Sequence, residues 1–359
     1  MMKHRIILFF LSLFSCALGV AQPVAVPPSR TTSINALVQY VKSNCSTPYD
    51  RLLTIQRWMS QNIVYDVNLV NADLLRPQKV PTSYEYAMFA FKNKRGVCAH
   101  FSSLFALLAN KMDIKMLQVD GVANGQPHGW CAAVINGQPY LFDPTWTSGG
   151  LVDGKYEKGM TMRFFMAHPD SLKFSHIPVD PLFQFSEHPL KFDQAAKRIP
   201  ANEKDNPYFN WRDTLTTYLA QDSVTRLTSS YQRAIHNGKP DVFNDARIKT
   251  MKDNILVYER NRMVTVFNAE VDRCNKMKAE IVNAHDRIAK TKGLTPAGVA
   301  NISNSLKRLE DELDESVRQL NSINTTDKEF AVQISNMKKN IELVRKRIKQ
   351  CYSDLEAKQ

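Results

Sequence analysis

The stretch 95–146, RGVCAHFSSLFALLANKMDIKMLQVDGVANGQPHGWCAAVINGQPYLFDPTW, decides the fold. It opens on a glycine turn, Arg95-Gly96-Val97, and then places Leu104, Phe105, Leu107, Leu108 and Met112 at helical spacing. That spacing predicts a helix with one buried face, with Cys98 in its first turn. The segments 115–122, 129–135 and 138–142 are short, apolar and partly alternating, which predicts strands. Asn136-Gly137 between the last two is a hairpin signal, because a type I′ turn needs positive φ at both central residues. His128 then stands immediately before one strand and Asp143 at the end of its partner, so an antiparallel pair brings the two side by side.

Three chemistries meet in that arrangement. A cysteine at a helix N-terminus is flanked by unpaired amides and the positive end of the helix dipole, which favour a thiolate and can hold an oxyanion. An imidazole can take the thiol proton and return it to a leaving group. A carboxylate on the far ring nitrogen fixes the tautomer and stabilises the imidazolium. Each residue alone is weak evidence, since lone cysteines, histidines and aspartates are mostly structural; the ordered set Cys98, His128, Asp143 carries the signal. His100, one helical turn from Cys98, is a poorly placed alternative proton acceptor.

Through Arg95-Gly96-Val97-Cys98, His128-Gly129-Trp130 and Asp143-Pro144-Thr145-Trp146, in this order, the chain resembles the transglutaminase-like superfamily. The resemblance runs over 49–193, from an upstream segment with Ile63-Val64-Tyr65-Asp66 to a tail, Ser175-His176-Ile177-Pro178-Val179-Asp180-Pro181. It implies an α+β, papain-like core with an antiparallel sheet, a catalytic triad of Cys98, His128 and Asp143, and an acyl-cysteine formed with an amide carbonyl. It also implies an aromatic hydrogen-bond donor to the oxyanion ahead of the nucleophile. Tyr65, 33 residues before Cys98, is the candidate, with simple packing as its other reading. Where bacterial relatives have Gly-Tyr after the nucleophile, this chain has His100-Phe101, which puts substrate choice in question more than catalysis. Trp130 and Trp146 are candidates for lining the substrate cleft, core packing being the alternative. The calcium of animal transglutaminases is not implied, because no acidic calcium loop is present. His168, His176 and His188 lack metal-ligand spacing and read as loop packing, so no metal or cofactor is expected.

Outward from this core, 34–41 and 49–62 read as amphipathic helices, a loop with Pro77 and Pro81 follows, and 84–91 reads as a short helix. Beyond Pro207 strand signals vanish. Segments 245–290, 296–322 and 327–356 predict three long helices joined at Gly293-Leu294-Thr295-Pro296 and at 321–327. Phe330, Ile334, Met337, Ile341, Val344, Ile348, Cys351 and Leu355 alternate steps of four and three, an a/d seam, and Ile302, Leu306, Leu309 and Leu313 repeat it. The expected organisation is a signal peptide over 1–21, a catalytic domain over 30–195, and an all-α antiparallel coiled coil or helical bundle over 206–357.

Lys3, His4 and Arg5 followed by the apolar run 6–18 and small residues at Gly19 and Ala21 predict that export signal. The mature chain would be periplasmic or secreted; lipid attachment at Cys16 is the alternative. No later segment is apolar enough to span a membrane. The remaining cysteines, Cys45, Cys98, Cys131, Cys274 and Cys351, are odd in number, so one free thiol is expected. Cys274 and Cys351 fall on helical seams about 20 Å apart in register, too far for a disulfide. A formal charge of +12 favours acidic partners, but nucleic acid is the least fitting for an exported chain, and solvated helix faces explain most of the excess. The leading expectation is a cysteine hydrolase acting on a protein or peptide amide or isopeptide. Transamidation, hydrolysis of other amides, and a non-catalytic scaffold working through its helices, with an envelope partner or oligomerisation, are the alternatives.

Overall fold

The computed structural model describes residues 24–69, 82–290 and 293–358. The expected signal peptide, Cys16, and the loop with Pro77 and Pro81 lie outside the described residues. Two compact units are present. The first comprises the described part of Met1–Asp222 with Ser229–Ile248, and the second Ser223–Thr228 with Lys249–Gln359.

In the first unit four helices form one layer: Ile34–Asn44, Pro48–Asn62, Ser83–Asn93 and Cys98–Lys111. Their starts are written in the sequence. Thr47 caps the second through the Asp50 amide, and Thr82 with Glu85 forms a reciprocal capping box at the third. The described strands are β1 Val64–Tyr65, β2 Arg95–Gly96, β3 Leu117–Ala123, β4 Gln126–Ile135, β5 Gln138–Phe142, β6 Gly149–Val152, β7 Lys155–Lys158 and β8 His176–Pro178. The sheet beside the helices runs in the order β5-β4-β3-β8, all pairs antiparallel. Alternation along β4 divides its residues between two cores. Cys131, Ala133 and Ile135 join Phe142 and the helical layer, including Leu104, Phe105 and Leu108. Trp130 and Ala132 join Val119, Leu141, Leu172, Leu182, Phe183, Trp211 and Leu215.

The expected hairpin is present, with Asn136 at φ 52° and Gly137 at φ 78°. A second turn of the same kind, Asn124-Gly125 at φ 47° and 77°, joins β3 to β4. It starts β4 at Gln126, so His128 lies inside the strand, opposite Gly121, rather than before it. The boundary expected at 195–206 also moves. Helix Trp211–Ala220 belongs to the first unit because Trp211 and Leu215 are buried against the second face of the sheet.

The second unit is built on three helices, Val242–Lys290 (which begins within the first unit), Pro296–Ser322 and Lys328–Glu356. Thr295 caps the middle one through the Gly298 amide. The seam residues Ile302, Leu306, Leu309 and Leu313 and Ile334, Met337, Ile341, Val344, Ile348, Cys351 and Leu355 are buried together with Cys274, Met277, Ile281 and Ile288. Each such aliphatic side chain stabilises the unit by about 1.5–3 kcal/mol relative to exposure. Among the described residues, Cys45, Cys98, Cys131, Cys274 and Cys351 are all free. One unpaired thiol was expected; five are found, and four of them are buried as small apolar side chains. No described helix is long and apolar enough to cross a membrane.

Candidate active site

Cys98 is the first residue of its helix, with Val97 as the extended N-cap, and it is partly exposed. His100 completes this helix start by accepting the Val97 amide on Nδ1 at 3.2 Å, its ring held near Tyr86 and Phe89. Its Cβ occupies the space that a side chain at Gly96 would need, 2.4 Å from an ideal Cβ there. His100 is therefore a capping residue, with the nitrogen needed for proton acceptance already engaged. The departure from Gly-Tyr is filled by packing: Phe101 is fully buried.

β1, Val64–Tyr65, runs parallel to β2, Arg95–Gly96, and pairs Tyr65 with Gly96. This sets Tyr65 beside the residues leading into Cys98. Its ring lies 6.5 Å from Phe101 and 6.1 Å from Tyr156. Burial first, then the charges of Cys98 and Asp143, push its phenol up to about 12, so the hydroxyl keeps its proton as a donor.

His128 Nε2 lies 2.8 Å from Asp143 Oδ2, both residues buried. That leaves Nδ1 as the nitrogen free to serve the thiol. Asp143 is held from both sides. Its Oδ1 accepts the Thr145 and Trp146 amides at 3.0 and 3.1 Å, capping the short helix Pro144–Thr147, and its own amide donates to Phe164 O at 2.8 Å. That helix is anchored in turn: Gln56 Nε2 donates to Ser148 Oγ at 2.9 Å, and Ser148 Oγ donates to Pro144 O at 2.7 Å.

Burial opposes charging His128, but Asp143, by charge and hydrogen bond, and the adjacent Cys98 outweigh it and carry its pKa up to about 10. Burial likewise opposes ionising Asp143, yet the charge of His128 and the hydrogen bonds from His128 and His176 hold it well below the usual carboxylate range. The site thus favours an imidazolium beside an ionised carboxylate.

Sequence reasoning brought Cys98, His128, Asp143 and Tyr65 to one region, and the structure places them together. It parts the two tryptophans. Trp146 is partly exposed and stacks on His128 at 4.8 Å, whereas Trp130 is fully buried and cannot line a cleft; it is the wall behind His128, at 6.3 Å. Sequence reasoning missed His176. Read as loop packing, it lies in β8 with Nε2 3.2 Å from the same Asp143 oxygen that His128 contacts, enclosed by Trp130, Trp146 and Phe164. The signal was present only as part of the tail 175–181, with no spacing to tie it to Asp143.

His128, Asp143 and His176 offer three ligand atoms within 4.8 Å of one another. An ionised carboxylate is acceptor-only, so both Nε2 atoms facing Oδ2 carry their protons, and a cation there would have to displace both. The geometry is that of a proton-holding site.

Residues 35–144 match the transglutaminase-like superfamily core. The chain is 20% identical over 256 residues to the kyphoscoliosis peptidases of Homo sapiens and Mus musculus. Those matches cover 65% of this chain and 36% of each relative, so the chain spans about a third of the length of these curated proteins. Among solved structures, a TGase aligns at 18% identity over 38% of this chain and 37% of its own, with a TM-score of 0.27. The sequence match covers the nucleophile helix, the hairpin and Asp143, so the segment 35–144 that holds them is similar to a transglutaminase-like superfamily core.

Proposed function

We propose that the chain is an exported cysteine hydrolase that cleaves a peptide or isopeptide amide through an acyl-Cys98 intermediate. The observation that carries this reading is the buried His128–Asp143 contact at 2.8 Å, with Cys98, the first residue of a helix, near enough to act on the His128 ring by charge and hydrogen bond. His128 Nδ1 takes the Cys98 proton, and the thiolate attacks the amide carbonyl. The oxyanion is met by the Tyr65 hydroxyl and the Cys98 amide. Collapse of the intermediate breaks the C–N bond, and His128 protonates the departing amine. Water, deprotonated by His128, then attacks the thioester and releases the acid, returning the proton to the Cys98 sulfur. The peptidase name of the curated relatives favours water as the second nucleophile; an amine in its place gives a cross-link by the same route.

The test is alkylation of the full chain with iodoacetamide at neutral pH. Cys98 is expected to react at least about tenfold faster than free cysteine, and His128→Ala to remove the difference. Equal rates in the two proteins would sink the triad. A glutamine peptide supplied with a labelled amine then separates the outcomes: a shortened or deamidated peptide supports hydrolysis, and amine incorporation overturns it.

A further inference from the structure

Asp143 Oδ2 is shared. It meets His128 Nε2 at 2.8 Å and His176 Nε2 at 3.2 Å, and the two rings stand at 71° to each other with centroids 6.0 Å apart. Since the ionised carboxylate can only accept, His176 must present Nε2–H to it. The other ring nitrogen, Nδ1, lies 3.0 Å from Ser175 Oγ, and that hydroxyl is also 3.2 Å from Leu172 O. A neutral His176 with its one proton on Nε2 fits this surrounding, its Nδ1 accepting from Ser175. Burial is the main influence on His176 and holds its pKa below the ordinary value despite the pull of Asp143, keeping the ring neutral.

The ring is held between aromatic neighbours and its own strand. Trp130 meets it edge-on at 5.1 Å and Trp146 at 4.9 Å, Phe164 lies at 5.9 Å, and β8 pairs His176 with Ala123. Beyond it is a cavity of about 60 Å³ also bordered by Asp170, Lys173, Ser186 and His188. The titratable groups around His176 are thus Asp143 and His128 on one side, Arg163 acting by charge, and Asp170, Lys173 and His188 across the cavity. Nothing in the cysteine–imidazole–carboxylate chemistry requires a second histidine, and a buried imidazole on the site's carboxylate has no role in the core that a leucine could not fill.

We propose that His176 is a positioning residue: its Nε2–H, donated to Asp143 Oδ2, fixes which lone pair Asp143 offers to His128 and so the direction in which the His128 ring faces Cys98. The inference rests on the triad reading. With His176 in place the carboxylate accepts four hydrogen bonds, two amides on Oδ1 and two imidazoles on Oδ2, and has no freedom to rotate. Without that donor, Asp143 keeps its charge and the two amides on Oδ1, but Oδ2 loses its second hold and can swing with His128, so the ring direction is less fixed.

The experiment compares two variants of similar volume in the full chain. His176→Gln keeps an N–H in the position of Nε2; His176→Met removes it. The first readout is the pH profile of Cys98 alkylation. His176→Gln is expected within about threefold of wild type and His176→Met slower by roughly 10- to 100-fold, as for a hydrogen bond to a charged group. Equal rates in the two variants, with His128→Ala still slow, overturn the proposal and leave the triad intact; no effect of His128→Ala indicts the triad itself. The second readout does not use reactivity. Nitrogen NMR of the wild-type imidazoles is expected to show His176 protonated at Nε2 at neutral pH, and the His128 Nε2–H resonance is expected to persist in His176→Gln and broaden in His176→Met. A wild-type His176 protonated at Nδ1 would overturn the assignment even if neither variant folds.

Discussion

At the residue scale the site is a problem of keeping charge underground. His128 and Asp143 are both buried, and their pKa shifts have opposite signs and different pH consequences. His128 is raised to about 10, so its contribution to stability is full below the unfolded value of about 6.5 and is lost as pH climbs through 10. Asp143 is depressed, so its contribution is full above about 3.9 and is lost only as pH falls through its lowered value. His176 is depressed, so the stability it gives as a neutral ring is full above about 6.5 and wanes below it. Denaturant melts of the wild-type chain are therefore expected to lose stability steadily from pH 6.5 to 10, and those of His128→Ala to be flatter across that interval. Parallel pH slopes would remove the coupled pair. The grouping of these residues was legible in order and type, because Cys98 follows the Arg95-Gly96-Val97 turn and the Asn136-Gly137 hairpin joins the strand of His128 to the paired strand that leads into Asp143. His176 was not, because a partner brought by an edge strand 33 residues after Asp143 leaves no local pattern.

At the scale of elements, β3 is the piece on which the site depends without contributing chemistry. It lies between β4, which carries His128, and β8, which carries His176, and Gly121 pairs with His128 on one side and Pro178 on the other. A Cβ at Gly121 would fall 2.2 Å from Ile177 O, 2.7 Å from Trp130 Cη2 and 2.8 Å from Pro178 Cα. Two of these are backbone atoms of β8, so the strand must move. Gly121→Ala is expected to cost about 1–3 kcal/mol in a denaturant melt and to slow Cys98 alkylation as well, through displacement of His176. Unchanged melting and alkylation would mean that β8 is free to shift without consequence. Most elements were readable: the strands by alternation and the Asn136-Gly137 turn, the long helices by steps of three and four. The Asn124-Gly125 turn follows the same rule and was overlooked beside an interrupted apolar pattern, which misplaced His128 by putting it outside its strand.

For the whole molecule, the division of the chain was readable in kind but not in position. Strand signals end near Pro207, but Trp211 and Leu215 are buried in the second core of the sheet, and only their tertiary neighbours reveal it. Periodicity reports which face of a helix is apolar, not which surface covers it. In the second unit the seam itself was explicit, and its energetic weight can be checked there. Ile341 is fully buried within it. Ile341→Ala is expected to destabilise that unit by about 2–5 kcal/mol while leaving the Cys98 alkylation rate unchanged. A slowed Cys98 would make the two units energetically one.

The distribution of the five described thiols has a consequence wherever an oxidant reaches the protein. Four are sealed in apolar cores, Cys131 with its pKa pushed well up by burial, and only Cys98 meets solvent. Peroxide or a small disulfide therefore finds one sulfur to attack among them, the same atom that the proposed hydrolysis would use. Oxidation would block that thiol reversibly at the sulfenic or mixed-disulfide stage without loosening the architecture, so under the proposed hydrolysis reductant supply, rather than unfolding, would set how long Cys98 stays available.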